Sequence, residues 1–348
     1  MKHLKTIKKL PPIEEIINAF PVSDAAMAMV ARNQQEVKDI LTGKDARTLF
    51  IVGPCSAWPS PAVLEYAKRL KALEPQVADV LKLVLRVYIQ KPRTTIGWTG
   101  PVNQPDPFAA PDIAEGAYYT RKMMAEVAEM GLPLADEAVF THNAKGFIEL
   151  LSWVAIGARS TEDQEHRIFA SSIEPAVGMK NPTSGSISIG VNSVVAAQHP
   201  HTAVFDGYQV ETEGNPFAHL VLRGGEHGPN FHLDKLYKAQ ELLEKAAVQN
   251  PAVIIDASHE NSRMNGKKDP EMQMDVVREV LHNLRMHPEL KKVVKGFMVE
   301  SFLKSGAQNL NECTAQTVDQ DGLSVTDPCL GWDKTEELLL DTAKLLRQ

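Results

Sequence analysis

The sequence predicts a (β/α)8 barrel with a helical N-terminal extension and a small inserted hairpin. Three observations predict it. Short apolar or β-branched runs alternate with amphipathic helical stretches from Thr48 onward, eight times over. The alternation covers at least the roughly 250 residues that such a barrel needs. Chemistry-bearing polar residues fall at the C-terminal ends of the runs, and a barrel gathers those ends on one face. An open, doubly wound parallel sheet would give the same alternation and is the main structural alternative.

Residues 1–45 come first and carry no strand signal. "PPIEEIINAF" and "SDAAMAMVARNQQEVKDILTG" have helical apolar spacing, with Ser23 and Asp24 as capping residues and Gly43 as a stop. This segment reads as an extension for oligomer contacts or regulation, leaving residues 46–348 for the barrel. The strand runs follow in order: "TLFIVG", "LKLVLRVYI", "LPLADEA", "VAIGAR", "AVGMKN", "HLVLRGG", "AVIIDASH" and "VKGFMVES". Helical stretches such as "PAVLEYAKRLKAL", "AEGAYYTRKMMAEVAEM", "HLDKLYKAQELLEKAAV" and "PEMQMDVVREVLHNLRM" lie between them, so each strand is expected to be followed by a helix. "TAVFDGYQVETEGNPF", ahead of the sixth run, reads as a hairpin. No repeat, low-complexity tract or linker marks a second domain.

Composition excludes several partner classes. The 348 residues are 43% hydrophobic and 23% charged, normal for a globular protein, and the net charge of -7 argues against a nucleic-acid partner. The three cysteines, widely spaced, are no disulfide framework, so a reducing, cytoplasmic setting is expected. The basic N-terminus lacks a signal-peptide core, and no run approaches the roughly 18 apolar residues of a membrane span.

The polar strand ends divide by chemistry. Cys55, in "IVGPCSAWPSP", follows the first run, His259 ends the seventh, Glu300 ends the eighth and Asp327 lies in the loop beyond. A thiolate, an imidazole and two carboxylates suit a divalent transition ion such as Mn, Fe, Co or Zn better than Mg or Ca. The second group is cationic: Arg86, Lys91, Arg93, Arg159, Lys180 and Arg223. So many cations at one mouth require anions, and they suit a phosphate, a carboxylate and a second phosphate. In "KPRTT", Lys91, Arg93 and the Thr94 hydroxyl present donors over four residues while Pro92 fixes the loop. Each residue alone has a plainer reading. A lone Cys packs as a small hydrophobe, Glu300 and Asp327 suit helix caps, and single arginines form surface ion pairs worth little. Their common placement on one face argues against the plain readings. Cys313 and Cys329 read as structural.

"GPCS", "LRVYIQKPRTTIGWTG", "SWVAIGARSTEDQEHR", "VGMKN", "LRGG", "DASHEN", "MVESF" and "SVTDPCLGW" resemble, in order, the class I 3-deoxy-D-arabino-heptulosonate 7-phosphate (DAHP) synthases, in particular those with a helical N-terminal extension. The resemblance implies a metal-dependent, aldol-type condensation of phosphoenolpyruvate with erythrose 4-phosphate, giving DAHP and phosphate as the first step of the shikimate pathway. It places Cys55, His259, Glu300 and Asp327 as metal ligands. It makes Arg86, Lys91, Arg159, Lys180 and Arg223 phosphoenolpyruvate contacts, and Arg93 and Thr94 erythrose 4-phosphate contacts. The catalytic candidates are Lys91, as proton donor to the forming alkoxide, Glu137, positioning or deprotonating the attacking water, and His259. A homodimer or homotetramer is implied as well. Departures flank the mouth: Ala57-Trp58-Pro59, "EAVF" after the third run, Pro182, Ala257 and Glu260. They keep open a paralogue acting on an amino or imino analogue or on arabinose 5-phosphate, beside a non-catalytic phosphate-binding subunit. Glu174 stands where feedback-inhibited relatives have a small residue, and a buried carboxylate there would cost several kcal/mol unless paired. Altered feedback is the corresponding expectation.

Overall fold

The computed structural model describes residues 2–143, 145–264 and 266–348. Two helices open the chain, α1 (Ile13–Ala19) and α2 (Asp24–Thr42). Ser23 caps α2, its Oγ accepting from the Ala26 amide, and Gly43 ends it at φ +77°, where a residue with a Cβ is strained. Eight parallel strands follow: β1 (Thr48–Gly53), β2 (Leu81–Arg86), β3 (Leu134–Glu137), β4 (Leu151–Ile156), β5 (Ala176–Lys180), β6 (His219–Leu222), β7 (Val253–Asp256) and β8 (Val294–Glu300). Each pairs with its sequence neighbours and β8 returns to β1, so the sheet is a closed barrel and the open-sheet alternative falls. Closure sets the register Gly53 opposite Glu300, which brings the loop after β1 beside the end of β8.

Strand alternation separates two cores. Phe50 and Val52 of β1 face the helical layer, whereas Leu49 and Ile51 face the barrel interior with Val84, Trp153, Ile254 and Met298. Val37, Ile40 and Leu41 of α2 belong to that interior cluster. The apolar stripe of α2 therefore closes the floor of the barrel. Polar contacts fix it there: Lys82 meets Glu36 at 2.8 Å and donates to Asn33 at 2.7 Å. Lys38 of α2 also pairs with Glu174. The Glu174 side chain is 76% exposed, so the burial cost expected at this position does not arise.

The outer layer is α3 (Ser60–Leu73), α4 (Ile113–Glu129), α5 (Gln164–Ser172), α6 (Ile187–Gln198), α7 (Leu233–Lys245), α8 (Met272–Met286) and α9 (Trp332–Leu346). The expectation of a helix after every strand fails once. Among the described residues β3 is followed only by two short 3-10 turns, Thr141–Asn143 and Ile148–Leu150. "THNAKGFIEL" has no helical apolar stripe, and Gly146 sits at φ +85°, which interrupts an α-helix. The expected hairpin forms, pairing Thr202–Phe205 with Tyr208–Glu211. A second, unexpected one pairs Arg263–Met264 with Lys267–Lys268 between β7 and α8. No helix among the described residues is long and apolar enough to cross a membrane.

The missing helix leaves Asp136 of β3 facing a small space bounded by Gln90, Phe147, Ile148 and Phe169. The carboxyl is 3% exposed and accepts from the Ile89 amide at 3.0 Å. Burial pushes its pKa up to about 8, opposed by hydrogen bonds from the backbone and from Gln90.

Two outcomes follow for stability. Ile40→Ala should destabilise the fold by about 2–5 kcal/mol through the cavity it leaves in the barrel floor, whereas Ile7→Ala, at a side chain 90% exposed, should fall within about 0.5 kcal/mol of the parent. Equal urea midpoints for the two variants would show that α2 is not part of the core. For Asp136, the folded chain holds the proton up to about pH 8, and the unfolded chain releases it near pH 4. The associated stability is whole below about pH 4 and is lost as pH rises toward 8. The stability of the parent minus that of Asp136→Asn should therefore decline by up to roughly 5 kcal/mol across this window. A difference independent of pH in urea melts at pH 5 and 7.5 would contradict the burial of a neutral acid.

Candidate active site

The C-terminal ends of the strands open on a cavity of about 440 Å³. Eleven of the site residues marked by the sequence line it: Cys55, Lys91, Pro92, Arg93, Thr94, Glu137, Arg159, Lys180, Arg223, His259 and Asp327. Arg86 and Glu300 are not in the wall. Both are 0% exposed and lie beneath it, where Arg86 Nη2 donates to Glu300 Oε1 at 2.7 Å. Arg86 is pinned further by the Pro54 carbonyl at 3.0 Å and stacks over the Tyr88 ring at 3.7 Å.

Three donors form a compact cluster. One ligand atom each of Cys55, Glu300 and Asp327 lie within 4.8 Å of one another. Two ligands of one transition ion, each at about 2.0–2.3 Å, stand at most roughly 4.6 Å apart, so the cluster has the dimensions of a metal site. The His259 ring stands alongside, its Nε2 4.0 Å from Glu300 Oε1 and its Nδ1 3.0 Å from Asp256 Oδ2. His259 has a left-handed φ of 59°, a conformation that needs support. Asn261 supplies it by donating to the carbonyls of Asp256 and Leu222 at 2.8 and 3.1 Å. A thiol, two carboxylates and an imidazole fit a divalent transition ion and disfavour Mg or Ca.

The charges around the cluster are paired. Burial, then the Glu300 carboxylate, push the Cys55 thiol up, while Lys91 pulls it back. Lys91 Nζ lies 3.2 Å from Cys55 Sγ and donates to the Cys55 carbonyl at 2.7 Å. Burial works against the Lys91 charge, yet Cys55 and Glu300 hold its pKa above the ordinary lysine value. Burial also opposes the Glu300 charge, but Arg86, His259 and Lys91 keep its pKa far below the usual carboxylate range. Ser258 donates to the second Glu300 oxygen at 2.8 Å.

Across the cavity, Lys180 bridges Glu137 at 3.5 Å and Asp256 at 3.2 Å. Burial would raise the Glu137 pKa, but Lys180, Lys91 and Arg86 hold it below its ordinary value, so the carboxylate is ionised. Gly157 makes room for it, since a Cβ there would meet Glu137 Oε1 at 2.3 Å. Arg223 is 7% exposed, its Nε has no hydrogen-bond partner among the described residues, and burial lowers its pKa despite Asp256 and Glu260. A buried guanidinium with an unused donor is a place for an anion. At the rim, the exposed Arg159 donates to Thr94 Oγ1 at 2.8 Å.

Sequence reasoning missed Arg263 and Lys268, which also line the cavity, and named Glu260 only as a departure. Glu260 takes Arg263 at 2.6 Å, and Lys268 pairs with Asp327. Both cations come from the unexpected hairpin, and no motif reached them.

The comparisons agree with this geometry. A model of the DAHP synthetase I family matches residues 22–340. Phospho-2-dehydro-3-deoxyheptonate aldolase of Haemophilus influenzae is 38% identical over 340 residues, 96% of this chain and 91% of its own. The Tyr-sensitive phospho-2-dehydro-3-deoxyheptonate aldolase of Escherichia coli is 37% identical over 342 residues, 97% of this chain and 93% of its own. Among solved structures, the phospho-2-dehydro-3-deoxyheptonate aldolase of Francisella tularensis superimposes with a TM-score of 0.91 at 34% identity and covers 99% of both chains. With a family model spanning nearly the whole chain and relatives this similar from end to end, the chain belongs to the DAHP synthetase I family.

Proposed function

We propose that this chain condenses phosphoenolpyruvate with erythrose 4-phosphate to give DAHP and inorganic phosphate. One observation carries the reading: the Cys55 and Asp327 donors line a single cavity with seven cations, namely Lys91, Arg93, Arg159, Lys180, Arg223, Arg263 and Lys268, and Glu300 lies beneath its wall in the same donor cluster. The family membership and the names of the relatives support it.

Cys55, His259, Glu300 and Asp327 would hold a divalent Mn, Fe, Co or Zn ion. Such an ion supplies Lewis acidity toward a carbonyl oxygen. The chain's own residues do the rest. Arg223 and Lys180, buried and preorganised, receive the phosphate and carboxylate of phosphoenolpyruvate with Arg159 and Lys91, while Arg86 acts from beneath the wall through Glu300. Arg93 and Thr94, on the exposed loop, take the phosphate of the aldehyde. C3 of phosphoenolpyruvate bonds to the aldehyde carbon, and Lys91 delivers a proton to the oxygen that accumulates charge. Water adds at C2, Glu137 takes its proton, and the C2–O bond to phosphate breaks as the ketone forms. Residues 46–348 would be the catalytic barrel and residues 1–45 an extension serving a homodimer or homotetramer in the cytoplasm.

The test measures phosphoenolpyruvate consumption by chelator-stripped, then Mn-reloaded protein, with erythrose 4-phosphate and arabinose 5-phosphate offered separately. Turnover should require the metal and erythrose 4-phosphate, and Cys55→Ala should lower it at least about 100-fold through loss of a ligand. Consumption with arabinose 5-phosphate alone would move the assignment to a related aldehyde. Metal bound without turnover on either aldehyde would overturn it. Arg223→Ala should raise KM for phosphoenolpyruvate by about 10-fold or more, the loss of one charge-assisted pair, and an unchanged KM would remove Arg223 from the substrate site.

A further inference from the structure

Each thiol or carboxyl donor of the cluster has a cation of its own. Glu300 has Arg86 at 2.7 Å, Cys55 has Lys91 at 3.2 Å, and Asp327 has Lys268. His259 has the carboxylate of Asp256 instead, 3.0 Å from its Nδ1. Arg86 and Lys91 come from β2 and the loop that continues it, next to β1 in the sheet. Lys268 arrives from elsewhere. It ends the two-residue ladder Arg263–Met264 with Lys267–Lys268 and reaches 59 positions along the chain to Asp327 Oδ2.

Asp327 needs such a partner more than the other donors do. Glu300 is held by the sheet and Cys55 by the loop directly after β1, both buried, whereas the Asp327 side chain is 40% exposed on a loop. Ser324 donates to the Asp327 carbonyl at 2.8 Å, which fixes the backbone but not the carboxylate. Among the described residues no other side chain hydrogen-bonds that carboxylate. Glu300 repels it, and Lys268 and His259 offset the repulsion. Left alone, a loop carboxylate beside a thiol and a second carboxylate gains by swinging out to water.

We propose that Lys268 is a positioning residue for Asp327, holding one carboxylate oxygen from outside so that the other faces Cys55 and Glu300. The inference rests on the reading of Cys55, His259, Glu300 and Asp327 as a metal site. A ligand carboxylate anchored by a cation on its outer oxygen is a common arrangement, and losing the anchor typically weakens metal affinity about 10–100-fold. Lys268 is also a wall residue of the substrate cavity. It belongs to the short hairpin and to none of the buried apolar clusters, so removing its charge leaves the packed core untouched.

The test uses the full chain, stripped of metal and titrated with Co²⁺ against a chromogenic chelator, for the parent, Lys268→Met and Lys268→Arg. The thiolate-to-cobalt absorption band reports Cys55 coordination independently of turnover. Thermal melts of the stripped proteins check that all three fold alike. Lys268→Met should bind Co²⁺ about 10–100-fold more weakly than the parent, and Lys268→Arg should recover most of the loss. Parental affinity in Lys268→Met overturns the inference. So does tighter binding, which would make Lys268 a competitor of the metal. A parent that binds no Co²⁺ overturns the metal-site reading itself, and this inference with it.

Discussion

The buried pair of Arg86 and Glu300 is the interaction on which the site depends. Its two members close the mouth from β2 and β8, on either side of β1, with 0% exposure for both side chains. Ion pairs so deep seldom add net stability, because desolvation offsets most of their attraction. Their worth here is geometric. Arg86 also grips the Pro54 carbonyl, and Ser258 holds the second oxygen of Glu300, so one pair ties the loops after β1 and β7 to the end of β8. Removing either partner would strand a charge in the barrel and release both loops. Cys55 and His259 sit on those loops, so the donor cluster inherits its shape from this pair.

Above it, the mouth balances charge by alternation. Lys91 stands between Cys55 and Glu300, Lys180 between Glu137 and Asp256, and Arg223 near Asp256 and Glu260. Each of these buried cations has an anion close by, which keeps the barrel from bearing an uncompensated field. The outer sides remain for substrate. Arg93 and Arg159 are exposed and interact with little else, so the positive excess grows from the floor toward the rim. A dianionic substrate is therefore steered at the rim before it meets the fixed, buried groups below.

The barrel and most of the site were legible because polar residues interrupt otherwise apolar strands at one end. Cys55, Glu137, Lys180, Arg223, His259 and Glu300 all announce themselves that way. Arg86 shows the limit of the signal: its place at a strand end says nothing about whether it lines the cavity or lies beneath it. Glu174 shows another, since residue identity gives no direction for the side chain, and the carboxylate points to solvent and Lys38. The missing helix after β3 was hidden by the regularity of the other units. Lys268 and Arg263 were invisible for a different reason. A two-residue ladder has no period to detect, and lysines in loops are usually solvated.

The α2 stripe carries a consequence for how the chain is made. Val37, Ile40 and Leu41 belong to one buried cluster with residues from β1, β2, β4, β7 and β8, the last of which lies some 250 positions away along the sequence. On a ribosome this helix emerges before every strand of the barrel, long before its binding surface is complete. It must stay unpaired, or in temporary company, until β8 closes the ring. The floor of the barrel is thus written first and assembled last, and such long-range closure slows folding.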